Sequence, residues 1–254
     1  MINKVASATD SRDAASAAGG GGTLAACAAL FVVILILYFR PFWGNELIYL
    51  PAAWHFWHPG YLLNDWTFSG SGNEHFVFNA VVGGLMMILS METVGWIGRL
   101  LVWGFLAHGL VRLGRAFGLP PFTAAFAVIL WLLAGQSVVG SEWMLPTFEA
   151  KAVAYVFLVY ALVWTLENRY MAAAIFTGLC FSIHPSVGLQ GGFAVGLMVL
   201  CSGDWRWTLR FGAIAGLCAL PGLIPILPML GNTTFAAGQW RFLTVVLMPG
   251  HLNP

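Results

Sequence analysis

The sequence predicts an all-α polytopic membrane protein with about seven transmembrane helices. Three observations carry that prediction. Only 8% of the 254 residues are charged, where a soluble domain carries about 25%. The mean hydropathy is +0.82. Apolar runs suited to crossing a bilayer recur along the chain, in place of the short alternating segments of a membrane β-barrel. The formal net charge of +1 gives no basis for binding nucleic acid. Cys27, Cys180, Cys201 and Cys218 lie inside apolar runs without paired spacing, so they read as small buried residues, not as disulfides or metal ligands.

Residues 1–22 are rich in Ala, Gly and Ser and end in four glycines, the composition of a disordered tail. The apolar run 24–39 follows. No small-residue cleavage site stands behind it; Arg40-Pro41-Phe42-Trp43 does, so a retained first span is expected and not a signal peptide. Further runs lie at 76–90, 95–113, 121–139, 152–166, 171–183, 188–202 and 211–230. As a helix, 76–90 would be about 22 Å long, short of a hydrocarbon core of about 30 Å. Lysine and arginine placement arbitrates, since cytoplasmic loops are enriched in them. With the N-terminus cytoplasmic and 76–90 outside, Lys4, Arg12, Arg112, Arg115, Arg169, Arg206 and Arg210 fall inside. Arg40, Arg99, Lys151 and Arg241 fall outside, a split of seven to four. If 76–90 crossed, five of the inner arginines would move outside. The expected arrangement is therefore a 1–22 cytoplasmic tail and a 23–254 transmembrane module, with a large first extracytoplasmic loop that contains a membrane-parallel helix.

That topology gathers the acids on one side. Glu46, Asp65, Glu74, Glu92, Glu142 and Glu149 are outside, and only Asp10, Asp13, Glu167 and Asp204 are inside. Glu74 and Glu92 read as ordinary surface residues. In the first outer loop, Glu46 and Tyr49 are spaced i and i+3, so on a helix they share a face. A carboxylate under aromatic cover suits a general base, and Asp65 in "LLNDWTF" is the second candidate. In the next outer loop, "GSEWMLPTFEAKAVAY", Thr147 is expected to cap a helix. Glu149 would then lie in its first turn, with Lys151 about one turn in, set against the helix dipole. A cation there, with free backbone N–H groups, suits a phosphate; a lysine paired with Glu149 or Glu142 is the simpler alternative. His184 ends a span before Pro185, and Arg241 and His251 add phosphate-capable groups on the same side. Alternatively, His184 caps carbonyls freed by the proline. His108 is mid-span and reads as a core residue. Pro221, Pro225 and Pro228 predict a kink in the last span.

With these features the chain resembles the GT-C glycosyltransferases, multi-span enzymes that use polyprenyl-phosphate sugars as donors. Many carry an Asp-Glu-x-x-Tyr-like pattern early in the first outer loop, and Asn45-Glu46-Leu47-Ile48-Tyr49 occupies that place with Asn45 in the Asp position. The chain is more closely similar to an uncharacterised bacterial multi-span group. Its "E-x-K", "HP" and "R…PHH…P" features match Glu149-Ala150-Lys151, His184-Pro185, and Arg241 with Pro249-Gly250-His251, where Gly250 replaces a histidine.

The resemblance implies an inverting transfer of sugar to an acceptor on the extracytoplasmic side of a bacterial inner (plasma) membrane. It assigns Glu46 and Asp65 as catalytic, and Lys151, His184, Arg241 and His251 as donor-phosphate ligands. Glu142, Glu149 and Tyr49 would shape the acceptor site or a site for a divalent cation. The partners would be the polyprenyl-phosphate-linked sugar and membrane lipid. Relatives continue past the seventh span, so an incomplete C-terminus is expected. A transporter or lipid-binding protein, or a non-catalytic subunit, is the alternative function.

Overall fold

The structure, a computed structural model, describes residues 3–65, 73–136, 143–145, 147–202 and 205–230. Among them the chain is helical, with no strand. The helices are α1 (Asn3–Tyr38), α2 (Glu46–Trp57), α3 (Phe76–Met86), α4 (Met91–Ala116), α5 (Pro121–Leu133), α6 (Ala150–Leu166), α7 (Tyr170–Ile183), α8 (Pro185–Cys201) and α9 (Trp205–Leu230). A single 3-10 turn, Asn73–His75, leads into α3.

Local sequence accounts for most boundaries. Ser90 caps α4, its hydroxyl accepting the Thr93 N–H at 3.1 Å. Pro121 and Pro185 open α5 and α8, where a missing N–H costs nothing. α9 continues through Pro221, Pro225 and Pro228 as one helix, which neighbouring helices make tolerable inside a bundle. α1 takes in the Ala-rich segment expected to be a tail, as well as the apolar stretch Gly20–Tyr38.

Side-chain contacts fix the direction of each helix. Arg115 near the end of α4 reaches Thr23 at the start of α1's apolar stretch, while Arg99 near the start of α4 reaches the carbonyls of Arg40 and Pro41 just after α1. α1 and α4 are therefore antiparallel. Gln136, just after α5, donates to the Tyr38 hydroxyl at the end of α1. α6 begins beside Glu46 and ends at Glu167 beside Arg112. Ser182 of α7 bonds the Cys218 carbonyl of α9, and α8 runs back between them. Seven helices thus alternate in direction, while α2 and α3 stay together at the end marked by Arg99. The opposite end is marked by Arg112.

α4 is the centre of the bundle. Its apolar window is 56% buried, against 17% for that of α9. Trp103, Leu106 and Val111 of α4 pack with Leu30 and Ile34 of α1 in the main core. The outside is apolar as well: Ile88 is 84% exposed, Phe193 76% and Ile36 74%. Water would penalise that exterior and lipid would not. Among the described residues three helices, α4 and the apolar parts of α1 and α9, are long and apolar enough to cross a membrane.

Candidate functional site

The two outer loops singled out in the sequence meet at the Arg99 end. Gly44 adopts a left-handed conformation (φ 58°), and α2 starts two residues later at Glu46. The Glu46 carboxylate is fully buried and accepts four N–H groups. Arg99 Nε donates to Oε1 at 2.6 Å and Arg99 Nη2 donates to Oε2. The backbone N–H of Phe148 reaches Oε1 at 2.7 Å, and that of Trp43 reaches Oε2 at 3.4 Å. Arg99 is also fully buried. It donates to the Arg40 carbonyl at 2.6 Å and the Pro41 carbonyl at 3.4 Å, with the rings of Phe42 and Trp96 against its guanidinium. Gly98 lets the Phe148 ring lie on α4, since a Cβ there would come within 2.5 Å of three ring atoms.

This geometry does not suit the role expected of Glu46. A general base needs a lone pair turned toward the acceptor and a path to it. Here the oxygens are spent on a bidentate arginine and two backbone donors, so Glu46 positions its neighbours. An arginine in an apolar run has to find an acid; Arg99 within 95–113 carried that signal, unread, and the partner lies 53 residues away.

The second loop departs from expectation in its cap. α6 starts at Ala150 with Glu149, not Thr147, in the N-cap position. Glu149 is buried. Its Oε2 accepts from Asn45 Nδ2 at 2.6 Å and its Oε1 from the Thr147 hydroxyl at 3.0 Å. Asn45 is thus a donor to a carboxylate, which an aspartate in its place could not be while ionised. Lys151 follows in the first turn of α6, its Nζ 3.9 Å from Glu149 Oε1 and 5.9 Å from the centre of the Trp143 ring. That distance is the outer limit of an ion pair. Gln136 holds the loop in place by accepting the N–H groups of Met144 and Leu145 at 3.1 and 2.9 Å.

Two indole donors complete this junction. The Nε1 atoms of Trp43 and Trp143 are buried and have no hydrogen-bond partner among the described residues, with their rings 6.0 Å apart. The Arg40 guanidinium stacks 3.9 Å from the Trp43 ring. Buried indole N–H groups usually find an acceptor, so this corner offers donors and positive charge to an anion. Nothing in the residue types marks these two indoles, because only folding buries them.

Beside the junction lies a histidine pair. The rings of His75 and His184 stack at 4.8 Å, and Tyr49 Oη lies 3.1 Å from His75 Nε2. His184 is the N-cap of α8, with Nδ1 accepting the Val187 N–H at 3.4 Å. That leaves Nε2 as the protonated nitrogen of the neutral ring. The alternative reading had His184 cap carbonyls freed by the proline; its ring instead accepts an N–H of the first turn of α8. Burial holds the pKa of His75 below its ordinary 6.5, while Glu74 and the backbone at Ile183 pull the other way. A histidine depressed on folding binds fewer protons than in the unfolded chain, so stability falls as pH drops below about 6.5 and on through the lower folded-state value. Thermal unfolding of wild type between pH 8 and 5 should show this loss, and His75→Gln should flatten it.

Asp65 is half-buried in the turn after α2, its N–H donating to the Leu62 carbonyl at 3.0 Å. Glu142, Arg241 and His251 lie outside the described residues. Among the described residues, no three His, Cys, Asp or Glu side chains converge as a metal site.

An apolar groove of about 650 Å³ runs between α3, α4, α6 and α7. Phe78, Phe148 and Ile183 line its Arg99 end; Tyr160 and Trp164 line the other. Phe148 precedes Glu149 and Ile183 precedes His184. The groove therefore ends beneath the polar junction.

Comparison with family models, curated proteins and solved structures finds no match.

Proposed function

We propose that the chain is a membrane glycosyltransferase of GT-C type. In this reading all seven alternating helices cross the membrane with the Arg99 end outside. α2 and α3 lie at the outer surface, and the donor is a polyprenyl-phosphate-linked sugar. The observation that carries the reading is the apolar groove ending under a corner rich in N–H donors. An isoprenoid chain suits a groove lined by Phe, Val, Leu and Ile. Its phosphate suits Lys151, the Nε1 atoms of Trp43 and Trp143, and His184 Nε2 at the groove's outer end. Arg40 adds positive charge to the same corner. With Glu46 tied to Arg99, the base acting on the acceptor passes to Asp65, on the loop at that end.

A non-catalytic lipid-phosphate-binding subunit is the second reading, and the locked Glu46 favours it. Both predict donor binding; only the first predicts transfer.

The test is a titration of polyprenyl phosphate onto protein in lipid nanodiscs, with the parent polyprenol as the phosphate-free control. Lys151→Ala should weaken phosphate binding by about tenfold or more, as for a lost charge-assisted hydrogen bond. Polyprenol binding should not change. Equal affinity of the variant and wild type for polyprenyl phosphate would overturn the assignment and leave Lys151 as the partner of Glu149. Sugar transfer lost in Asp65→Asn, with binding intact, would separate enzyme from binding subunit.

A further inference from the structure

The Arg112 end of the bundle has a cavity of its own. It encloses about 380 Å³ and is lined by Thr23, His108, Arg112, Arg115, Ala116 and Glu167. Arg99 and Arg112 are both on α4, 13 residues apart, which places the cavity about 20 Å along the helix from the outer junction. Nothing in the proposed transfer uses it.

Its chemistry is that of an anion site. Arg112 Nε and Nη2 hold the two Glu167 oxygens at 3.0 and 2.6 Å, latching the end of α4 to the end of α6. The Arg115 guanidinium donates to the Thr23 hydroxyl at 2.7 Å, its only acceptor among the described residues. A guanidinium carries five N–H donors, so most of Arg115's capacity remains for a ligand. Two guanidinium groups and one carboxylate leave the cavity with one net positive charge. The Arg112–Glu167 pair is 29% and 34% exposed, within reach of an incoming group. At the cavity's base His108 Nδ1 lies 2.6 Å from the Tyr160 hydroxyl, and Tyr160 also lines the apolar groove on its other side.

The surroundings say what kind of anion. Leu24, next to Thr23, is 72% exposed, and Phe117, next to Ala116, is 69% exposed. A free anion in water has no use for an apolar rim, whereas a lipid lays its chains on one. Basic pockets between helices on the cytoplasmic side are where anionic headgroups seat.

We propose that this cavity binds the phosphate of an anionic membrane lipid in the leaflet opposite the donor site. Arg115 and Thr23 contact the phosphate, and Arg112 shares its charge between Glu167 and the ligand. The proposal rests on the membrane reading of the bundle and is independent of the transfer reaction.

The experiment is lipid binding to the full chain by native mass spectrometry from detergent, with phosphatidylglycerol, phosphatidylcholine and inorganic phosphate as probes. Wild type is expected to prefer phosphatidylglycerol over phosphatidylcholine, and Arg115→Gln to reduce that preference by about tenfold, the effect of losing charge-assisted hydrogen bonds. Arg169→Gln removes the same charge at the same end but outside the cavity, and should leave the preference intact. Equal binding of the two lipids, or a preference unchanged in Arg115→Gln, overturns the site. A preference lost equally in Arg169→Gln does too, since it reduces the effect to general surface charge. Competition by inorganic phosphate at millimolar concentration, dependent on Arg115, would keep the phosphate site and overturn its lipid source. Thermal unfolding of each variant in phosphatidylcholine alone checks that the fold is unchanged.

Discussion

Arg99→Met is expected to cost about 3–5 kcal/mol of stability, the penalty for leaving one partner of a buried ion pair behind. Glu46 would keep only the N–H groups of Trp43 and Phe148. It would have to stay charged without a countercharge or take up a proton. The carbonyls of Arg40 and Pro41 would lose their donor in the same step. Glu46→Gln should cost less, because the amide oxygen can still accept from the arginine, although Arg99 is then buried with no countercharge. The double variant Glu46→Leu/Arg99→Met should recover much of the single-variant loss, since well-packed apolar residues replace buried pairs at little cost. Unfolding in detergent, followed by tryptophan fluorescence, measures all three. A change within about 0.5 kcal/mol for Arg99→Met, as for an ordinary surface substitution, would mean that water reaches the pair.

The consequence for function is indirect. Phe148 holds Glu46 by its backbone and lines the groove with its ring. Loosening the ion pair therefore loosens the Arg99 end of the groove and the turn that presents Glu149 and Lys151. Loss of donor binding in Arg99→Met together with loss of stability would mark positioning; loss of binding alone would mean contact with the ligand.

Much of the fold was legible because hydrophobic runs and prolines are local signals. The run 152–166 is α6 with its first two residues missing, 171–183 is α7 short of Tyr170, and Pro185 divides α7 from α8 as expected. The run 76–90 was judged too short to cross, and the structure makes it an 11-residue helix packed with α2. Caps were less legible. Thr147 is a favoured cap by residue type and Glu149 is not, yet Glu149 takes the N-cap position, where Asn45, 104 residues away, bonds its carboxylate. The site was legible as residue types gathered at one end, and not as pairs. Sequence spacing gathered Glu46 with Tyr49, yet their partners are Arg99 and His75, one from another helix and one from a distant turn.

Gly83→Ala should show whether α2 and α3 form one rigid hairpin. A Cβ on Gly83 would overlap the Ala53 carbonyl oxygen and come within 2.6 Å of Trp57 Cδ1. Trp57 cannot swing aside freely, because its Nε1 donates to the Ala80 carbonyl at 3.0 Å. Backbone must move, which puts the cost near the upper end of the 1–3 kcal/mol typical of overpacking, so about 2–3 kcal/mol. The neighbouring Gly84→Ala meets nothing nearer than Trp57 Nε1 at 3.9 Å. There the gain in helix propensity of about 0.5–1 kcal/mol should make the variant neutral or slightly stabilising. If α2 and α3 only rested side by side on a membrane surface, the two substitutions would behave alike, since each would add one methyl group to a loosely held helix. A clear difference in unfolding between them requires the tight contact. It also carries a functional corollary, because His75 is the N-cap of α3. Pushing α3 off α2 draws His75 away from Tyr49 and from the His184 ring, so Gly83→Ala should weaken the acid sensitivity assigned to His75 while Gly84→Ala keeps it.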